Sequence, residues 1–216
     1  MSKPIAETRQ DARQAAVSSM KQSLILDAAR EIFESEGIEG ASIRAIAKRA
    51  GYTPGAIYFH FASKEDIYAT LLDQSLDALV ARVTASINDK DDPVGNLYRS
   101  GRVFFDFYNE NPRDLDLGFY LFRGGMRPHG VGPDSDRMLN EKLLWALAPI
   151  QNALQEMGCS EDTANTETAA LFAHISGLLL LQHTARMRLF ATSASDQVDK
   201  YLRDLTQRVV EHSNIP

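Results

Sequence analysis

From Leu24 to Val210 the apolar residues recur three and four positions apart, and nowhere do they alternate with polar ones over the length of a strand. That period describes one face of an α-helix, so the chain can bury its apolar surface only by packing helix on helix. The first instance is a double stripe, Leu24, Ala28 and Ile32 beside Ile25, Ala29 and Phe33. Ser19 with Gln22 supplies a capping box ahead of it and Gly37 a stop behind it, which bounds a first helix. Residues 1–18 are polar, mixed in charge and without apolar period, and are expected to form a flexible arm.

Small polar residues, Gly and Pro punctuate the rest. Ser42 caps a short helix whose inner face is Ile43, Ile46, Ala47 and Ala50, closed by Gly51. Thr53 caps again with Pro54 at the first helical position, where its missing N–H and fixed φ do no harm. Ser63 begins a long fourth helix, 64–88, with Ile67, Leu71, Leu72, Leu76, Leu79, Val80, Val83 and Ile87 inward. Pro93 and Pro112 open two more helices, and the stretch from Gly124 to Pro133, with four Gly and two Pro, is expected to be a loop. Ser135–Met157 reads as a helix kinked at Pro149, Ser160 caps a long one reaching about Phe190, and Ser193 or Ser195 caps the last, through Val210. The expectation is an all-α fold of about nine helices: a three-helix domain over 19–66 and a helical domain over 67–216, linked by the fourth helix.

Several function classes are hard to reconcile with these residues. A chain of 216 residues buries a real core. Its one cysteine, Cys159, allows no internal disulfide and no zinc cluster, and no apolar run approaches the ~20 residues of a membrane span. With no apolar segment after the basic N-terminal residues, secretion is not expected, which points to the cytoplasm. HExxH, a P-loop, a nucleophile elbow and a GxGxxG after a strand are all missing, so no catalytic residue is nominated. His174 and His183 share a helix, but nine residues at ~100° each put them on opposite faces. Neither a metal nor a cofactor is expected.

Charge is distributed unevenly. The chain carries −6 overall, yet residues 1–63 carry +1 and the remainder −7, and the segment Ala41–Lys64 holds four basic residues and no acid. A local positive field on an acidic body suits a polyanionic partner. In that segment two short helices are separated by a turn containing Gly51, which is helix-turn-helix spacing. Thr53, Pro54, Gly55 and Ala56 at the start of the second helix are small, so backbone and hydroxyl groups can come close to base edges and phosphates. Ile57 and Phe61 face inward at this spacing, while Tyr58, Phe59 and His60 project outward.

Ser42–Lys64, with Leu24–Phe33 and Gly37 before it, resembles the DNA-binding domain of the TetR/AcrR family of repressors. The matching features are the paired alanines Ala28-Ala29, then Phe33 and Gly37, with Ile46-Ala47, Ala50-Gly51, Ile57-Tyr58, His60-Phe61 and Lys64-Glu65. The resemblance covers about the first third of the chain and implies double-stranded DNA as a partner. It makes Tyr58 and Lys64 a phosphate-clamping pair and Gly55 and Ala56 base-reading positions, although small residues also simply permit close packing. By the same resemblance Ser42 and Thr53 cap their helices and can touch phosphate, and Arg44 is a phosphate ligand. Phe59 lies in the interface, and His60 either contacts DNA or stacks on the domain core.

The resemblance also implies a small-molecule effector held in the C-terminal domain, in a cavity drawing on Phe104, Phe107, Tyr108, Phe119, Phe122, Trp145 and Phe172. Independently, the helix after Ser160 is apolar nearly all round from Ala169 to Leu181, which calls for a second packing partner. A second copy of the chain supplies it, with Gly177, Leu180, Leu181, Leu202 and Leu205 as the expected homodimer interface. The favoured reading is a one-component repressor that leaves a palindromic site when an apolar or aromatic effector binds. An activator or protein-controlled regulator of the same type is the nearer alternative. A helical carrier or enzyme for an apolar molecule is the distant one, which the acid-free segment disfavours.

Overall fold

The computed structural model describes residues 5–88, 92–123 and 131–213. They form nine α-helices and no strand: α1 Ile5–Gly40, α2 Ile43–Ala50, α3 Pro54–Tyr58, α4 Lys64–Ala85, α5 Pro93–Glu110, α6 Pro112–Arg123, α7 Pro133–Glu156, α8 Glu161–His183 and α9 Ala194–Ser213. A 3-10 turn, Arg186–Leu189, lies between α8 and α9. The chain divides into two compact units, and the boundary falls inside α4, between Leu71 and Leu72.

The helix starts follow from local chemistry. Ser42 accepts a hydrogen bond from the backbone N–H of Ala45 at 3.2 Å, and Thr53 from that of Ala56 at 3.3 Å. Asp92, Ser160 and Ser193 cap α5, α8 and α9 in the same way. At α4 the exchange is reciprocal: Asp66 N–H donates to the Ser63 hydroxyl, and the Asp66 carboxylate accepts from Ala62 N–H. Gly37 and Gly51, at φ of 68° and 75°, take the left-handed backbone that ends α1's regular part and α2.

Three elements depart from the sequence reading. Residues 5–18 are helical, continuing α1, where a flexible arm was expected. Between Ile5 and Glu36 there is neither Gly nor Pro, and the segment is rich in Ala, Gln, Arg and Glu, all good helix formers. Missing periodicity there reflects an exposed helix. Secondly, α8 stops at His183, well short of Phe190. The Thr184 hydroxyl bonds the Leu180 carbonyl at 2.6 Å and Ala185 enters the left-handed region at φ 58°, which breaks the ladder. Thirdly, Leu24 on the predicted α1 stripe is exposed, and Leu26 is buried with Ile25, Ala28 and Ala29. The loop expected from Gly124 onward falls, through residue 130, outside the described residues.

In the first unit α1 packs on α2 and α2 on α3. Ile25, Ala29, Ile46, Ala47, Ile57, Phe61 and Ile67 are nearly or wholly buried, and the Phe33 and Tyr68 rings meet edge-on at 6.1 Å. In the second unit α5 is central, packing against α6, α7, α8 and α9. Phe104 and Phe105 fill its inner side. Its polar edge is tied to α9 through Asp199, which accepts from the Tyr98 hydroxyl at 2.7 Å and from Arg102 at 2.9 Å. Burial opposes ionisation of Asp199, but those two donors prevail and hold its carboxyl below the usual range.

Two glycines of this unit sit in opposite surroundings. A Cβ on Gly101 would lie 2.7 Å from Leu202, itself fully buried, whereas a Cβ on Gly118 would meet nothing within 4 Å. Gly101→Val should therefore destabilise the protein by about 1–3 kcal/mol through overpacking. Gly118→Ala should stabilise it by up to ~1 kcal/mol through helix propensity. A denaturant midpoint that does not fall in Gly101→Val would contradict this packing of α5 on α9, and one that falls in Gly118→Ala would contradict the open space at α6.

Candidate nucleic-acid interface and apolar cavity

Five residues make α3, and only Ile57 among them is buried. Its remaining surface is offered to solvent. Thr53, Pro54 and Gly55 are exposed at the N-terminal end, Ala56 is half-buried, Tyr58 is 58% exposed and Phe59 82%. Phe59 and Tyr58 thus put two adjacent aromatic side chains in solvent at the end of α3. His60 is half-buried, with its ring edge-on to Phe59 at 5.2 Å.

The four cations of the acid-free segment are not equivalent. Arg49 pairs with Glu31 of α1. Lys64 is partly buried, and its ammonium donates to the carbonyls of Ile38 at 2.8 Å and Ala41 at 3.2 Å, satisfying the turn between α1 and α2. The sequence reading gave Lys64 no structural use; it has one. Arg44 and Lys48, four apart on α2 and thus on one face, are exposed. Among the described residues neither has an acidic partner. Lys48 went unnominated, although its i, i+4 spacing from Arg44 was a readable signal. If Lys64 braces the turn, Lys64→Ala should cost about 1–3 kcal/mol by leaving carbonyls unsatisfied. Thermal denaturation without DNA checks this, and an unchanged midpoint would rule the brace out.

In the second unit an apolar cavity of about 340 Å³ lies among α4 to α8. Of the nominated aromatics, Phe104, Tyr108 and Phe172 line it. Phe104 and Tyr108 are one turn apart on α5, and Phe104 meets Phe172 edge-on at 5.9 Å. Phe107 is buried but off the lining, packed edge-on to Tyr108. Trp145 is 58% exposed and does not line the cavity, because α7 turns Leu139, Ala146 and Ile150 inward and Trp145 falls outside that face. The side chains of Phe119 and Phe122 lie outside the described residues. Leu72, Leu76, Leu115, Leu139 and Leu143 complete the apolar wall, with Gly118, Asn140 and Ser176. Sequence reasoning passed over these because leucines at helical spacing read as ordinary core.

The nominated interface residues separate by burial. Leu202 and Leu205 are fully buried within this chain, against α5 and α8, and present nothing to a second copy. Leu180 is 55% exposed, Gly177 is exposed and Leu181 half-buried. The α8 surface carrying Ala169, Ala170, Gly177 and Leu180 is thus an exposed apolar stripe, and a Cβ on Gly177 would meet nothing within 4 Å. His183 binds the Tyr108 carbonyl at 3.2 Å while His174 stacks on Tyr201 at 4.3 Å. Among the described residues, no three His, Cys, Asp or Glu side chains gather as a metal site. None of the described helices is long and apolar enough to cross a membrane.

Residues 25–71 match the family model of bacterial regulatory proteins, tetR family. Over 80 residues the chain is 38% identical to the A-factor receptor protein of Streptomyces griseus, an alignment covering 37% of this chain and 27% of that one. Over 95 residues it is 33% identical to the HTH-type transcriptional activator FasR of Mycolicibacterium smegmatis, covering 44% and 43%. The chain thus spans between about a quarter and two fifths of these relatives. Among solved structures, the transcriptional regulator FadR of Bacillus subtilis in complex with stearoyl-CoA superposes with a TM-score of 0.64 at 20% identity, covering 85% of this chain and 97% of that one. At that identity the likeness is one of fold.

Proposed function

We propose that this chain, whose residues 25–71 match the family model of bacterial regulatory proteins, tetR family, is a homodimeric, DNA-binding transcriptional repressor released by an apolar small molecule. The observation that carries the reading is α3. Ile57 roots it in the core, while Thr53, Pro54 and Gly55 at its N-terminus and Tyr58 and Phe59 at its end are exposed, as are Arg44 and Lys48 on α2, which packs on it. Such a helix fits a major groove, with Arg44 and Lys48 neutralising phosphates alongside. On this reading the Ser42 and Thr53 hydroxyls, which cap α2 and α3, also contact phosphate.

The exposed α8 stripe supports self-association, since Gly177 lets a second backbone approach and Leu180 gains burial only against a partner. Two reading heads then address two half-sites about one helical turn, or a multiple, apart. The cavity supports the effector, and the stearoyl-CoA of the FadR structure supports an acyl-like one. Helix α4 begins at Lys64 in the first unit and contributes Leu72 and Leu76 to the cavity in the second. An effector that prefers the conformation unable to hold DNA shifts the population away from it through this helix. Linkage then requires DNA to weaken effector binding by the same factor, typically about 5- to 150-fold.

A gel shift with the DNA upstream of the protein's own gene, against a scrambled duplex of equal composition, tests the reading. Equal affinity for both would remove the sequence-specific function. Because FasR is named an activator, a reporter under that upstream DNA decides the sign: transcription rising when the gene is deleted marks a repressor, falling marks an activator.

A further inference from the structure

Tyr108 is an amphipathic side chain in an apolar place. Phe104 at 5.5 Å and Phe107 at 5.1 Å hold its ring edge-on, and 6% of the residue is exposed. A buried phenol ordinarily finds an acceptor. Among the described residues the Tyr108 hydroxyl has none, and it is not among the orphaned polar atoms sealed in the protein, which belong to Asp73, Ser75, Thr168 and His174. It keeps an opening, and Tyr108 lines the cavity.

The surrounding charge selects what the hydroxyl can hold. Burial, and then the negative charge of Asp114 in the first turn of α6, push the phenol's pKa up, so the group stays protonated and donates. A carboxylate or phosphate brought against it would feel the negative charge of Asp114 and would lose its hydration against an apolar cavity wall. A neutral carbonyl oxygen avoids that repulsion. Of the other polar side chains on the described lining, Asn140 is exposed and donates one amide N–H to Asp136 at 3.2 Å, and Ser176 is uncharged. On the facing helix α6, Gly118 lines the same cavity with open space where a side chain would project.

We infer that the cavity's ligand is an uncharged, mainly apolar molecule bearing one hydrogen-bond acceptor, an ester or ketone type, which accepts from the Tyr108 hydroxyl, with Gly118 leaving room for its apolar part. The inference rests on the reading that this cavity takes the effector, and it adds the effector's chemical class. Full-length protein loaded with the neutral fluorescent probe N-phenyl-1-naphthylamine is titrated with methyl decanoate, decanoate or undecane, three molecules of similar length. Methyl decanoate should displace the probe at about tenfold lower concentration than undecane, the difference one hydrogen bond makes, and decanoate should be the weakest near neutral pH. Tyr108→Phe should abolish the advantage of the ester over the alkane without changing undecane, and Gly118→Leu should weaken both. Decanoate equal to or better than the ester overturns the inference while leaving the cavity reading intact. So does an ester no better than the alkane, which wild-type protein alone decides if a variant misfolds. A probe that fails to bind wild-type protein overturns the cavity reading, and the inference with it.

Discussion

Leu180→Glu should convert the protein from dimer to monomer at micromolar concentration and cost it roughly 10²- to 10⁴-fold in affinity for its DNA site, the avidity that vanishes when two modules are uncoupled. Leu180 is 55% exposed in the single chain, so glutamate is tolerated by the fold of one protomer. Facing the same α8 stripe of a second copy, however, it would bury an unpaired charge among Ala169, Ala170 and Gly177. Sedimentation and a thermal melt separate the two consequences: the mass should halve while the melting of the monomer stays cooperative. A variant that remains dimeric with unchanged DNA affinity would place the interface elsewhere. Substituting Leu202 or Leu205 is a poor test of assembly, because both are core and would unfold the second unit first.

Removing Arg44 and Lys48 together should weaken binding to specific and unrelated duplexes alike, and should flatten the salt dependence. Every phosphate that a cation no longer neutralises lowers the log–log slope by about 0.9, so the four substitutions in a dimer should remove about 3–4 from it. Both side chains are exposed and have no acidic partner among the described residues, so the double alanine variant should fold normally. That separates it from Lys64→Ala, whose effect on DNA is entangled with the turn its ammonium supports. An unchanged slope would mean that α2 lies away from the phosphates.

What the sequence determined by itself is the set of signals that act within one turn of chain. Ser42, Thr53, Ser63 and Ser160 each satisfy an N–H three residues ahead, Gly51 takes its φ of 75° without the strain a Cβ would add, and Pro54, Pro93 and Pro112 start helices where an N–H is not needed. The all-α class followed from periodicity, and the outward face of α3 from the inward spacing of Ile57 and Phe61. The tertiary structure decided which chemically similar residues do what, because that depends on partners far away in the chain. Lys64 meets carbonyls 26 and 23 residues earlier, and Arg49 meets Glu31, which leaves Arg44 and Lys48 as the segment's exposed cations with no acidic partner among the described residues. Tyr108 and Phe172 reach the cavity while Phe107 and Trp145 do not, a matter of how far each helix is rotated about its axis. Leu180 and Leu202 carry the same side chain, yet one lies on an open face and the other against Gly101, since burial is a property of the packed helices and not of the residue.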